Sequence, residues 1–176
     1  PARATFTATT VDTVKGITVL QTPNKKTYNY GESFTEQGGS IVPTYESGAI
    51  GSNTDAIPMS NNNVTITDGS TQFPMLKPDK TKFTNGKSTV TLSVTYNDPT
   101  SGKTSNTTFT VTVNDVLQSL TVTNPKNDFI WGEGIGLGSG TIEANWQSGA
   151  ETTVSADDVS FYEAGTNTAV NMRPLE

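Results

Sequence analysis

Two neighbouring segments of the chain alternate strictly between apolar and polar residues. Apolar residues occupy every second position of residues 90–96 and of residues 109–113, with Thr or Ser between them. These apolar positions are Val90, Leu92, Val94 and Tyr96 in the first segment and Phe109, Val111 and Val113 in the second. A period of two is typical of strands with one buried and one solvated face. The turn-forming residues 97–102 lie between the segments and predict a hairpin whose apolar side chains share one core.

Shorter apolar pairs predict the remaining strands. These pairs are Ile17 and Val19, Ile41 and Tyr45, Val64 and Ile66, and Phe73 and Met75. Residues 24–26, 47–48, 68–69 and 85–86 have the composition of turns. Because no segment sustains a period of 3.6 residues, the pattern predicts an all-β fold with essentially no helix.

The chain also repeats itself after about 100 residues, which is the size of a β-sandwich domain. The segment T-F-T-A-T at 5–9 matches T-F-T-V-T at 108–112, and Y-N-Y-G-E at 28–32 matches F-I-W-G-E at 129–133. Further along, Y-E-S-G-A at 45–49 matches W-Q-S-G-A at 146–150. The repeat therefore predicts tandem β-sandwich domains.

The repeat divides the chain into three parts. Residues 1–14 are predicted to be the last strand of a preceding repeat plus a linker, and residues 15–115 a complete domain. Residues 116–176 are predicted to be the N-terminal part of a further domain, ending in a cloning scar at 175–176. Both ends of the chain thus resemble cuts in a longer polypeptide.

This division carries an expectation about association. Residues 117–174 would lack the counterparts of segments 90–96 and 109–113. We then expect an exposed apolar face that includes some of Ile135, Leu137, Ile142, Trp146, Val159 and Phe161. Residues 5–11 of another molecule are expected to add to this incomplete copy, which would produce a strand-exchanged oligomer.

Composition supports the β assignment and excludes several function classes. The 176 residues include 32 Thr, a β-branched residue that suits half-exposed strands. There is no His and no Cys, which excludes Ser–His or Cys–His catalysis, imidazole or thiolate metal ligands, and disulfides. The net charge of −6 argues against a nucleic-acid partner, and no apolar run is long enough to predict a membrane span.

The ordered motifs of the complete copy resemble the group-3 bacterial immunoglobulin-like domain. They are I-T-V at 17–19, Pro23, T-Y-x-Y-G-E at 27–32, Y-x-S-G at 45–48, and the closing strands at 90–96 and 109–113. The chain departs from the family pattern in its longer middle, residues 50–87, and in having Ser47-Gly48 where the family often has Asp-Gly. The resemblance implies an all-β fold of tandem immunoglobulin-like β-sandwiches with antiparallel strands. It also implies tandem modules on secreted or cell-wall proteins of bacteria, without catalytic residues to carry over.

The acidic residues are interpreted as structural, so no catalytic residue, metal or cofactor is predicted. Asp55, Asp68, Asp79 and Asp98 lie in turn-like contexts, where Asp side chains form local hydrogen bonds. Glu32 and Glu133 recur at one repeat position, which indicates a shared turn. Asp12 and Asp115 also recur, at the predicted domain junctions. A solvated linker charge is favoured there over a Ca²⁺ site, because too few oxygen ligands cluster.

Two features of the sequence are candidates for ligand binding. Trp131 and Trp146 replace Tyr30 and Tyr45 of the complete copy, which favours packing in the core over a platform for sugars. The extended 50–87 region is a better location for a unique site, because loops on rigid scaffolds carry function. Its candidate ligand-binding residues are Asn61, Asn62, Asn63, Gln72 and Phe73.

The sequence therefore favours a non-catalytic spacer or stalk of an extracellular bacterial protein, at the cell surface or in the cell wall. It would display other modules, contact neighbouring repeats of its own polypeptide and contribute to adhesion. One alternative is a carbohydrate- or host-protein-binding module that uses the 50–87 loops, with cell-wall or host glycans as partners. Another is an accessory domain of a secreted polysaccharide-degrading enzyme.

Overall fold

A computed structural model describes residues 3, 5–69, 71–130, 136–162 and 164–170. The chain divides into two compact units. Unit 1 comprises Pro1–Pro78 and Lys87–Asn114, and unit 2 comprises Asp79–Gly86 and Asp115–Glu176. The predicted boundary at 115/116 lies close to this division, but the loop Asp79–Gly86 groups with unit 2 although it precedes the boundary in the chain.

Unit 1 is built from two small sheets. Its strands are β1 (Val14–Gln21), β2 (Thr27–Asn29), β3 (Ser40–Tyr45), β4 (Ile57–Pro58), β5 (Val64–Thr67), β6 (Lys87–Asn97) and β7 (Thr104–Asn114). One sheet has the antiparallel order β1-β3-β4, and the other has the order β2-β7-β6-β5. The pairing of β2 with β7 is parallel, whereas β5, β6 and β7 pair antiparallel.

The predicted hairpin is confirmed as β6 and β7, which pair along their whole length from Lys87 opposite Asn114 to Asn97 opposite Thr104. The alternation also predicted which side chains face the core. Among the predicted apolar positions on this hairpin, Val90 is half-buried. The others are buried: Leu92, Val94, Tyr96, Phe109, Val111 and Val113. The intervening Thr and Ser side chains of residues 89–95 are exposed or half-buried.

Both sheets of unit 1 contribute to its core, and β1 contacts β7. The first sheet supplies Val14, Ile17 and Ile41, and an aromatic cluster lies beneath the second. In that cluster the ring of Phe34 lies 6.0 Å from Tyr28 and 5.9 Å from Phe109. Burial of these large side chains is the main favourable contribution to folding of the unit.

Unit 2 contains a smaller set of strands in its described residues. They are β8 (Leu117–Thr123), β9 (Thr141–Trp146), β10 (Glu151–Val154), β11 (Phe161–Tyr162) and β12 (Ala169–Val170). The first three form an antiparallel sheet of order β10-β9-β8, and the last two form a separate ribbon. Helical structure in the described part of the chain is limited to three short 3-10 turns, Asn53–Asp55, Lys80–Lys82 and Ala156–Asp158, so the β-rich prediction is confirmed.

The sequence repeat is matched by equal strand registers. In unit 1, Val19 pairs with Ile41 and Ile17 with Pro43. In unit 2, the repeat equivalents Val122 and Leu120 pair with Ile142 and Ala144. A register shift also recurs, between Val14 and Gly16 in β1 and between Leu117 and Ser119 in β8. Residues aligned by the repeat thus occupy equivalent places in the two sheets.

Two predicted strands are not present in the structure. Residues 5–11 were expected to form a strand, but they are exposed and have no strand partner among the described residues. Phe73 and Met75 lie outside the named strands, and Phe73 has a left-handed backbone with φ of 48°. For residues 5–11 the local pattern is β-like, but a strand also requires a neighbour that satisfies its backbone hydrogen bonds. At residues 73–75 the left-handed backbone of Phe73 interrupts the extended chain, and Met75 forms only an isolated bridge with Ser33.

The described residues form no helix of the length and apolar character needed to cross a membrane.

Candidate functional site

The predicted ligand-binding residues of the 50–87 region lie at two separate places. Asn61, Asn62 and Asn63 form a tight turn directly before β5. Within it the side-chain oxygen of Asn61 accepts a hydrogen bond from the Asn63 backbone N–H at 2.9 Å. The Asn63 carbonyl accepts another from the Asn97 backbone N–H at 2.9 Å. These bonds explain the turn, while the side chains of Asn61 and Asn62 remain exposed.

Gln72 and Phe73 lie at the opposite end of β5. Gln72 forms an isolated bridge with Thr67, the last residue of that strand, and Phe73 N–H donates to the Ile66 carbonyl at 2.9 Å. A strand rises about 3.3 Å per residue, so roughly 10 Å of β5 separates this pair from Asn63. The five residues therefore do not converge on one site, and ligand binding by either group stays a prediction.

A more enclosed arrangement occurs in unit 2, where a cleft of about 430 Å³ lies beside the end of β9. We call it the Trp146 cleft. Its aromatic lining is Trp146 and Phe83, and its polar and charged lining is Lys80, Asn85, Asp115, Glu151 and Thr152. A few polar groups around aromatic side chains, in a cavity of this size, are typical of small-molecule sites.

Local hydrogen bonds position the walls of the Trp146 cleft. The indole N–H of Trp146 donates to the hydroxyl of Thr152 at 2.8 Å, which holds the ring against β10. On the opposite wall, Asp79 caps the 3-10 turn Lys80–Lys82 by accepting from the Thr81 N–H at 2.8 Å. The Lys80 ammonium reaches the Gly149 carbonyl at 3.5 Å.

The wall ends at the Asn85-Gly86 turn, whose residues have φ of 51° and 69°. The Gly86 carbonyl accepts from the Asp115 N–H at 2.8 Å. The arrangement offers two aromatic surfaces, hydrogen-bonding groups and charges of both signs. It can bind a polar molecule with an apolar face.

Sequence analysis identified Trp146 and the 50–87 region separately but did not bring them together. The region's contribution to the cleft comes from residues 80–86 and not from Asn61, Gln72 or Phe73. The sequence signal available for predicting the cleft was its aromatic residues, one in the 50–87 region and one in the repeat. Pairing them requires knowing that the loop meets β9, and no local pattern contains that information.

A second cleft, of about 440 Å³ in unit 1, is lined by Gln21, residues 36–40, Ala56, Pro58 and Ser60. Its lining contains no aromatic residue or cationic side chain. We therefore take the Trp146 cleft as the stronger candidate for ligand binding.

The aromatic positions that recur in the repeat are not core residues. Tyr30, Tyr45 and Trp146 are all half-buried, which corrects the interpretation that these positions pack in the core. The buried aromatic of the Y-N-Y-G-E motif is Tyr28, because β2 turns it inward and ends at Asn29. Trp131 lies outside the described residues.

The acidic residues considered for catalysis accept hydrogen bonds in turns. Asp55 accepts from the Ser52 N–H at 2.8 Å, Asp68 from the Thr71 N–H at 3.1 Å, and Asp98 from the Ser101 hydroxyl at 2.6 Å. These bonds lower the pKa of Asp55 and Asp98, since each stabilises the ionised carboxylate. The hydrogen bond from Lys25 likewise lowers the pKa of Glu32, which also accepts from the Asn29 N–H within the same turn. Glu133 lies outside the described residues.

Asp12 and Asp115 have a structural role that sequence analysis missed. Asp12 accepts from the Ser47 N–H at 3.1 Å and from its hydroxyl at 2.5 Å. Asp115 accepts from the Ser148 N–H at 3.1 Å and from its hydroxyl at 2.5 Å. Each carboxylate thus holds the S-G-A hairpin of its own copy, and the interpretation as a solvated linker charge is incomplete. In the described part of the chain no three acidic residues gather as metal ligands.

Comparison with known proteins finds no matching family model, no similar curated protein and no similar solved structure.

Proposed function

We propose that the chain is a tandem array of immunoglobulin-like sandwich modules, related to the group-3 bacterial type, from a bacterial cell-surface or secreted protein. Its function is structural: the modules act as a spacer or stalk that displays other parts of the polypeptide, a role that needs no catalysis. The equal strand registers, the recurring register shift and the recurring Asp–Ser hydrogen bonds support this proposal.

The observation that carries the proposal is the short connection between β7 and β8. β7 ends at Asn114 and β8 begins at Leu117, so only Asp115 and Val116 separate them. Asp115 is bound to Ser148, and the Val116 carbonyl accepts from the Gln147 N–H at 2.8 Å. A short connection of this kind, with few free dihedral angles of its own, is what a spacer requires.

The spacer proposal expects a stiff connection, which two spin labels can test because the chain has no native Cys. The exposed Thr91 in unit 1 and Thr153 in unit 2 are changed to Cys and labelled. Double electron–electron resonance should then show one narrow distance distribution, which Asp115→Ala broadens and the exposed control Asp157→Ala does not. A broad distribution in the parent protein would overturn the spacer proposal.

The Trp146 cleft favours a second candidate function, binding of a carbohydrate. An indole and a phenyl side chain can cover the apolar face of a sugar, while Asn85, Glu151 and Lys80 are available to its hydroxyls. A glycan array should then show binding that Trp146→Ala abolishes and Tyr162→Ala, at an exposed ring, leaves intact. No binding to any glycan, or binding insensitive to Trp146, would reject this second function and leave the spacer proposal unaffected.

A further inference from the structure

The apolar face expected in unit 2 is not the one that the structure leaves open: Ile142 is buried, the other described members are half-buried (Leu137, Trp146, Val159 and Phe161), and Ile135 lies outside the described residues. Instead, an apolar row on β8 is open to solvent, although most of its equivalent in unit 1 is buried. Leu117 and Leu120 are each 46% exposed, and Val122 is 43% exposed. Val14 and Ile17, the repeat equivalents of Leu117 and Leu120, are 5% and 6% exposed, and Val19, the equivalent of Val122, is half-buried. The registers of the two sheets are the same, so the difference comes from what covers them and not from the strands themselves.

In unit 1 this cover includes β7, which contacts β1. Among residues 115–130, 136–162 and 164–170, unit 2 contains no strand that corresponds to β7. The same difference appears at the repeat equivalents Tyr28 and Phe129. Each lies under a lysine ammonium, at 5.0 Å and 5.2 Å respectively, but Tyr28 is buried beside β7 whereas Phe129 is exposed.

A segment with a sequence similar to β7 occurs elsewhere in the chain, without a strand partner in the part of the chain that the structure describes. Residues 5–9, T-F-T-A-T, match T-F-T-V-T of β7, so Phe6 corresponds to Phe109. Phe109 is buried against Phe34 in unit 1, whereas Phe6 is 91% exposed. Phe6 is exposed in a β-prone segment, and the exposed apolar row on β8 is equivalent to the row on β1, the strand that β7 contacts in unit 1. The segment and the row are therefore complementary surfaces.

We propose that residues 5–11 of one copy of the chain dock on unit 2 of a second copy, in the place that β7 takes in unit 1. In unit 1, β7 runs parallel to β2, with Thr112 opposite Thr27 and Val113 opposite Tyr28. When the residues are replaced by their repeat equivalents, the same register places Thr9 opposite Asp128 and Thr10 opposite Phe129. Alternation then turns Phe6, Ala8 and Thr10 toward the apolar row.

Each molecule carries one donor segment and one acceptor face, so the association is head-to-tail. The donor is less apolar than β7, because Ala8 and Thr10 stand where β7 has Val111 and Val113. Phe6 is therefore the main anchor, and the association is reversible and depends on concentration.

Sedimentation velocity over a range of concentrations provides the first test. The parent chain should form dimers and longer assemblies, and Phe6→Ser should raise the dissociation constant at least about 30-fold, as for a hot-spot residue. Thr7→Ser, on the opposite side of the segment, is the matched control and should have little effect. Both positions are exposed in the single chain, so neither variant threatens folding. A strict monomer, or association unaffected by Phe6→Ser, would overturn the proposal.

Cysteine cross-linking tests the register. Thr9→Cys in one preparation and Asp128→Cys in another should form a mixed disulfide dimer, because directly paired strands lie about 4.8 Å apart. Thr5→Cys with Asp128→Cys is the control and should not cross-link, since four residues displace it by roughly 13 Å. Equal cross-linking of both pairs would contradict the register. A Thr9→Cys, Asp128→Cys double variant that cross-links as a monomer would overturn exchange between copies.

Discussion

Asp115 and Ser148 are joined by two hydrogen bonds, one from the serine N–H to Oδ1 at 3.1 Å and one from its hydroxyl to Oδ2 at 2.5 Å. The Ser148 hydroxyl oxygen also accepts from the Ala150 N–H at 3.2 Å. One side chain thus connects the start of unit 2 to the turn of its central hairpin. Ser47 does the same for Asp12 and Ala49, which makes this contact a recurring device of the repeat.

Replacing Ser148 by Ala should therefore destabilise unit 2. The change removes a hydrogen bond to a charged group and leaves the Ala150 N–H without its acceptor, so we expect a loss of about 1–3 kcal/mol in the free energy of unfolding. Both tryptophans of the chain, at 131 and 146, belong to unit 2, so urea unfolding followed by tryptophan fluorescence reports on this unit. Ser160→Ala, at an exposed position, is the control. Equal unfolding midpoints for the two variants would show that the contact contributes nothing.

Leu92→Ala should destabilise unit 1 by about 2–5 kcal/mol, the usual cost of truncating a buried leucine. Leu92 lies in the middle of β6, directly opposite Phe109, and is fully buried. The neighbouring Thr91 faces solvent, so Thr91→Ala should change the stability by less than about 0.5 kcal/mol. Thermal unfolding by circular dichroism measures both. An unchanged melting temperature for Leu92→Ala would contradict the assigned core face.

Phe34→Ala should have a comparable or larger effect, about 3–5 kcal/mol, because Phe34 joins two other rings in the core. Its ring lies about midway between Tyr28 and Phe109, at 6.0 Å and 5.9 Å. Phe73→Ala provides a matched control at a partly exposed ring and should cost less than about 1 kcal/mol. Chemical denaturation measures both losses, and similar losses for the two variants would mean that the aromatic cluster is not a stabilising core.

Asp98 should make the stability of unit 1 depend on pH. Its side chain is buried and accepts from the Ser101 hydroxyl, the Thr100 N–H and, at 3.5 Å, the Val14 N–H. The bond from Ser101 is the main cause that lowers the pKa of Asp98 from its ordinary value of 3.8. Since the folded-state pKa lies below the unfolded-state value, the stabilisation is present above pH 3.8 and is lost as pH falls through the folded-state pKa.

Asp98→Asn should therefore have a lower free energy of unfolding than the parent chain at neutral pH. The difference should shrink as the pH falls below 3.8, the ordinary pKa of the carboxyl. Denaturation midpoints measured between neutral pH and strongly acidic pH test this. Asp157→Asn, at an exposed carboxylate, should show no such convergence. A constant difference between Asp98→Asn and the parent at every pH would contradict an ionised Asp98 as the stabilising species.

Local sequence patterns determined much of the strand and turn arrangement of this protein. The hairpin of β6 and β7 was predictable because its period of two and its turn residues are adjacent in the chain. The repeat predicted which residues would be equivalent, and the registers of β1 with β3 and β8 with β9 follow it through the same register shift. The assignment of the acidic residues to turns depended on equally short-range chemistry.

Only the tertiary structure decided which equivalent residues are buried. Ile17 and Leu120 have the same local pattern and the same strand partner position, yet Ile17 is buried on a strand that contacts β7, whereas Leu120 faces solvent. The bond from Ser47 to Asp12 spans 35 residues, and the loop of Lys80 meets the hairpin of Trp146 across a still longer stretch of chain. Burial and long-range contact depend on which strand or loop arrives from elsewhere. Periodicity in a strand's own sequence reveals which face is apolar but carries no information about what covers it.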